Sequence, residues 1–242
     1  MNTIRDIPDG LLAPKGWRAA ATCANIKGST PDKLDLGLLV SDSDCAAAGV
    51  FTQNQLRAAP VRWCQQVLPS AGIRAIVANS GNANACTGEQ GFRDASDMAS
   101  SIASMLGIEP RQVLVASTGV IGVPMPMDRL REGVKGLRLG SDGDAFNDAI
   151  MTTDTCRKQA SVAVELGGLE VRLGGVAKGA GMIHPHMATM LCFITSDAAV
   201  DTAVLPGAVK HAADQSFNML TVDGDTSTND TLLVLCNGAA GN

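Results

Sequence analysis

Tyrosine is absent from this chain and aromatic residues make up only 3% of it. That scarcity argues against base-stacking platforms for single-stranded nucleic acid. Clustered positive charge is missing as well. The formal net charge is -5 and no basic run exceeds two residues, so a phosphate-backbone partner is not expected. No apolar stretch approaches the ~20 residues that cross a bilayer, and the first ten residues, Met1 to Gly10, lack the apolar core of a signal peptide. The seven cysteines are odd in number, scattered from Cys23 to Cys236, and form no C-x-x-C pair. Free, mostly buried thiols in a reducing cytoplasm are the expectation.

What is present is alanine, glycine and alternating element signals. The 242 residues, 45% of them hydrophobic, suffice for one large or two small cores. Strands are expected over Arg18–Ile26, Leu36–Val40, Ala47–Phe51, Ile73–Ala78 and Gln112–Ala116. Phe92, Ala95, Met98, Ala99, Ile102 and Leu106 recur at helical spacing up to Gly107, and Thr87 with Gln90 has the form of a capping box. Asp128–Val134 and Asp144–Met151 read as short helices, Ser161–Leu166 with Leu169–Leu173 as a hairpin, Pro206–Phe217 as a helix and Thr231–Cys236 as a strand. Strict βαβ alternation is lacking, so a layered α+β fold is expected over a doubly wound parallel sheet.

Several sites can be excluded. Asp223–Asp230 begins like a calcium loop, but its glycine is second rather than sixth and position twelve is Val234. No G-K-[ST] follows the glycines near Lys178, and no G-x-S-x-G surrounds Ser80 or Ser117. His184, His186 and His211 have no cluster of carboxylates beside them, so no metal site is expected.

The segment Ala177–Ile194 holds more. A glycine-rich turn carries Lys178, a loop follows, and Thr189 stands at the mouth of the apolar run Met190–Ile194. By itself this is simply a turn before a buried strand. It also fits a nucleophile, because a threonine freed at its own α-amino group holds hydroxyl and base on one residue. Cleavage of the Ala188–Thr189 bond would create that arrangement. Ser117-Thr118-Gly119 follows a strand, where a hydroxyl and an amide can hold a developing oxyanion; read alone, it is an ordinary turn. Lys178 between Gly175 and Gly179 could meet a substrate carboxylate or simply be solvated.

Further motifs run in order along the chain: Gly49-Val50-Phe51-Thr52, Asn79-Ser80-Gly81-Asn82-Ala83-Asn84, Ser117 through Gly122, Thr152-Thr153-Asp154-Thr155, Lys178 through Leu191, and Asp223 through Asp230. Together they resemble the ornithine acetyltransferase family of arginine biosynthesis, the glutamate N-acetyltransferase/ornithine acetyltransferase enzymes.

The resemblance implies a layered sandwich like that of N-terminal-nucleophile enzymes and autocatalytic cleavage at Ala188–Thr189. Residues 1–188 would form an α chain and 189–242 the first part of a β chain, assembled as two α and two β. It implies Thr189 as nucleophile, Thr118 and Gly119 as oxyanion hole, and Thr152, Lys178 and Thr189 as substrate contacts. The reaction would move acetyl from N-acetylornithine to glutamate in the cytoplasm without metal or cofactor, acetyl-CoA serving the family's wider activity as a donor.

Two departures stand out. His186 replaces the family's usual asparagine in the cleavage motif, and family members run on past Asn242, carrying an acidic substrate-binding residue. From the second we expect Thr231–Cys236 to present an exposed apolar edge. Two rivals share these residues: an aminopeptidase or amidase of related fold, with water as the acceptor, and a non-catalytic truncated relative acting as a binding partner.

Overall fold

The computed structural model describes residues 4–30, 32–182 and 190–242. Its elements, in chain order, are β1 (Ile4–Asp6), β2 (Trp17–Thr22), β3 (Leu36–Phe51), α1 (Ala59–Val67), β4 (Ser70–Asn79), α2 (Gly88–Leu106), β5 (Val113–Ser117), α3 (Met127–Gly136) and α4 (Gly143–Ile150). There follow β6 (Lys158–Leu166), β7 (Leu169–Lys178), β8 (Leu191–Ser196), α5 (Leu205–Asp214) and β9 (Thr231–Cys236). The strands form one mixed sheet in the order β1-β6-β7-β8-β9-β3-β4-β5, with β2 also paired to β3. The β4–β5 and β8–β9 pairs are parallel and the others antiparallel. This is the expected α+β architecture.

The middle of the sheet is buried on both faces, and that dictates its composition. Leu191 and Phe193 of β8 and Leu233 and Leu235 of β9 enter the main core with Leu36, Ile76, Met98 and Leu114. Their alternates, Cys192, Leu232 and Cys236, join a second core with Leu205 and Val209 of α5. Successive strand residues point to opposite faces, so a strand covered on both sides must be apolar throughout. Phe193 meets Phe146 of α4 edge-on, with ring centroids 5.6 Å apart, an arrangement aromatic quadrupoles favour.

Four expectations need correction. β9 is not an exposed edge: it lies between β8 and β3, hydrogen-bonded on both sides. Leu36–Val40 and Ala47–Phe51 are parts of a single strand. The intervening Ser41-Asp42-Ser43-Asp44 looks like a break, but the chain absorbs it through register shifts between Val40, Cys45 and Ala47, with residues 42–44 exposed, as bulges permit. The glycine-rich turn expected from Ala177 starts later, because β7 runs through Gly174 and Gly175 to Lys178; only glycine fits at 174, where a Cβ would stand 2.1 Å from the Gly10 carbonyl oxygen. Lys178 therefore closes a strand. Finally, α2 starts where expected but without a capping box, since the Thr87 hydroxyl donates instead to Asn84 Oδ1 at 2.8 Å.

Candidate active site

Four of the candidate residues, Thr118, Gly119, Thr152 and Lys178, meet at one cavity. β5 ends at Ser117 and the chain turns through Thr118 and Gly119, whose φ is +135°. A Cβ on Gly119 would stand 2.4 Å from Gly81 C and 2.6 Å from Asn82 N, so the backbones of two loops touch there and only glycine fits. Asn229, just before β9, fixes this junction from the other side. Its Nδ2 donates to the carbonyls of Ser117 at 2.8 Å and Ala83 at 2.6 Å. Asn79 joins the same framework, accepting at Oδ1 from the Ser117 hydroxyl at 2.7 Å.

Lys178 comes in from the end of β7. It is 3% exposed, and its Nζ donates to Thr118 Oγ1 at 3.0 Å. Burial pulls its pKa below the ordinary lysine value, while the charges of Asp154 and Asp230 oppose that fall. Asp154 ties the third segment to the site. Its carboxylate accepts from the Gly179 amide at 2.8 Å, the Thr152 amide at 3.3 Å and Lys158 Nζ at 2.7 Å. Burial pushes its pKa up, but Lys158, those two amides and Lys178 together hold it below the usual carboxylate value.

Thr118, Gly119, Thr152 and Lys178 thus line one cavity of about 250 Å³, with Ala83, Ser227 and Asn229 on its wall. A larger groove of about 500 Å³ lies along β6 and β7 near Phe217. Its lining is mostly apolar and holds none of the candidate residues.

Asp230 is the other buried acid of the site, 1% exposed. Its Oδ1 accepts from the Met190 amide at 2.9 Å, while Oδ2 has no hydrogen-bond partner among the described residues. Burial raises its pKa to about 7, against the Met190 amide, the Ser227 hydroxyl and the Lys178 charge.

Thr189, Ala188, His184 and His186 lie outside the described residues. Met190, the residue directly after Thr189, is described and buried. Among the described residues, no group of three His, Cys, Asp or Glu side chains is placed to hold a metal, and no helix is long and apolar enough to cross a membrane.

Residues 18–242 match the ArgJ family. The chain belongs to that family. Among curated relatives it is 57% identical over 236 residues to the arginine biosynthesis bifunctional protein ArgJ of Symbiobacterium thermophilum, covering 96% of this chain and 59% of that protein. It is 51% identical over 243 residues to the ArgJ protein of Dehalococcoides mccartyi, covering 100% and 60%. The chain therefore spans about three fifths of the length of these relatives.

The ArgJ fold is equally plain in solved structures. The ArgJ protein of Bacillus halodurans superposes with a TM-score of 0.72 at 35% identity, over 79% of this chain and 100% of that one. The ornithine acetyltransferase of Mycobacterium tuberculosis, solved with ornithine, gives 0.67 at 42% identity, over 78% and 100%.

Sequence reasoning assigned no role to Asp154, Asn229 or Asp230. Their motifs, Thr-Thr-Asp-Thr and Thr-Asn-Asp, were visible, but a lone aspartate shows neither its burial nor its partners.

Proposed function

We propose that this chain carries the acyl-forming half of an ArgJ acetyltransferase, cut before Thr189 and moving acetyl from N-acetylornithine to glutamate. The observation that carries this reading is the convergence of Thr118, Gly119, Thr152 and Lys178 on one cavity, beside the aspartate that holds Met190.

In maturation the Thr189 hydroxyl attacks the Ala188 carbonyl. The Ala188 carbon–nitrogen bond breaks as the carbon–oxygen bond forms, and the hydroxyl proton passes to the departing nitrogen. Water then hydrolyses the ester, leaving residues 1–188, the hydroxyl and a free α-amine. That division is supported by the solved relatives, whose chains are matched end to end by 79% and 78% of this one, the share that residues 1–188 make up.

In turnover the α-amine, with an unperturbed pKa of about 7.8, takes the hydroxyl proton as Oγ attacks the acetyl carbonyl. Thr118 and Gly119 offer their O–H and N–H to the tetrahedral oxyanion. Collapse breaks the amide bond, ornithine leaves with the proton, and acetyl stays on Thr189. The glutamate amine then attacks that ester and restores the hydroxyl. Thr152 holds the substrate in the cavity that Lys178 also lines, and acetyl-CoA is a second candidate donor. Two α and two β chains are the proposed assembly.

Incubating the protein with N-acetylornithine, with and without glutamate, tests the assignment. N-acetylglutamate formed only with glutamate, at a rate matching ornithine release, supports it. Free acetate formed at the same rate in both samples would point to the hydrolase rival.

A further inference from the structure

The amine of Lys178, on the wall of the cavity, spends one of its hydrogen bonds on another side chain of the site. A charged lysine has three donors and no acceptor, so in the 3.0 Å contact with Thr118 Oγ1 the threonine oxygen is the acceptor. The single hydroxyl proton of Thr118 must then point elsewhere. No described residue accepts it, and Thr118 lines the 250 Å³ cavity. We infer that Lys178 is a positioning residue for Thr118, a buried charged donor that turns the Thr118 hydroxyl proton into the cavity and strengthens it as a donor.

The role rests on the acetyl-transfer reading and goes beyond a direct substrate contact. A free threonine hydroxyl rotates among three staggered positions. A fixed donor on its oxygen removes the orientation in which the proton would face Lys178. Charge on that donor draws electron density from the O–H bond, as one hydrogen bond polarises the next in a chain. Both effects act where an oxyanion develops, and neither needs rearrangement at the moment of reaction.

Keeping the amine charged at 3% exposure takes nearby negative charge. Asp154, in the segment after α4, supplies it, joined by Asp230, the residue before β9, as that carboxyl ionises around pH 7; Lys158 of β6 and Lys33 act in the opposite sense. These charges thus reach the Thr118 hydroxyl only through the Lys178 amine.

A double-mutant cycle of Lys178→Met and Thr118→Ala, read by steady-state acetyl transfer from N-acetylornithine to glutamate, tests this. Lys178→Met is expected to lower kcat about 10–100-fold with KM changed less than about twofold, since only the transition state is affected. The double variant should be no slower than Thr118→Ala alone, because the lysine acts through the hydroxyl. Lys178→Arg, which still donates with charge, should recover part of the loss. If Lys178→Met does not fold, Lys178→Gln carries the same comparison, expected to keep KM and lose kcat. A rise in KM at constant kcat, or losses that multiply in the double variant, would overturn the inference and leave Lys178 as a substrate contact only. A wild-type protein that transfers no acetyl overturns the acetyl-transfer reading, and this role with it.

Discussion

Replacing Asp230 by asparagine should make the protein more stable at neutral and alkaline pH, although it alters a buried residue beside the proposed site. The folded carboxyl has its pKa raised from 3.8 to about 7 by burial. Below the unfolded value both states hold the proton and Asp230 contributes no pH dependence. Between there and about 7 the folded protein keeps a proton that the unfolded chain has released. Stability then falls by about 1.4 kcal/mol per pH unit, and over roughly three units the loss is about 4 kcal/mol.

Asparagine has no such titration and can keep an oxygen for the Met190 amide. Part of the gain is offset because Lys178 loses a charge that supports its own, so a net gain of about 2–4 kcal/mol at pH 8 is expected. At pH 4 the two proteins should differ little. Urea unfolding of both at half-unit steps from pH 4 to 8 measures this, and comparing the two removes the other titrating groups. Parallel stability curves would refute the reasoning, because they would mean that Asp230 ionises in the folded protein as readily as in the unfolded chain.

Three further outcomes follow from the geometry. Thr118→Ala should lower acetyl-transfer turnover by about two to three orders of magnitude, the usual cost of one oxyanion donor, with KM little changed in steady-state kinetics. Gly119→Ala forces a Cβ to within 2.4 Å of Gly81 C at φ +135°; it should lower stability by at least about 1–3 kcal/mol from backbone strain alone, seen as an earlier urea midpoint. Leu235→Ala, at a fully buried position of β9, should cost about 2–5 kcal/mol by the same measurement; a loss below about 1 kcal/mol would place β9 at an exposed edge after all.

Much of the fold was legible because its signals are local. The α2 periodicity ends at Gly107, which takes the left-handed conformation at the helix C-terminus, and the β9 run Thr231–Cys236 is apolar almost throughout because both its faces are covered. What misled were features whose meaning is set by distant chain. Ser41–Asp44 reads as a break until the bulged pairing with β4 is known, and Ala177-Lys178 reads as part of a turn until its pairing with β6 and β8 is known. β9 could be placed at an edge only while its neighbours were unknown. For the site, family motifs led to Thr118, Gly119, Thr152 and Lys178, which the fold brings together. Asp154 and Asp230 depend on burial and on contacts 25 and 40 residues away in sequence, which composition and spacing do not carry.

The most direct test of the central claim is a mass spectrum of the protein after exposure to N-acetylornithine without glutamate. Two polypeptides should be found, split between Ala188 and Thr189, with one acetyl group on the residue that begins the second. Thr189→Ala should give a single unacetylated chain. An uncut wild-type chain, a cut that persists in the alanine variant, or acetyl carried on any residue other than Thr189 would contradict the account.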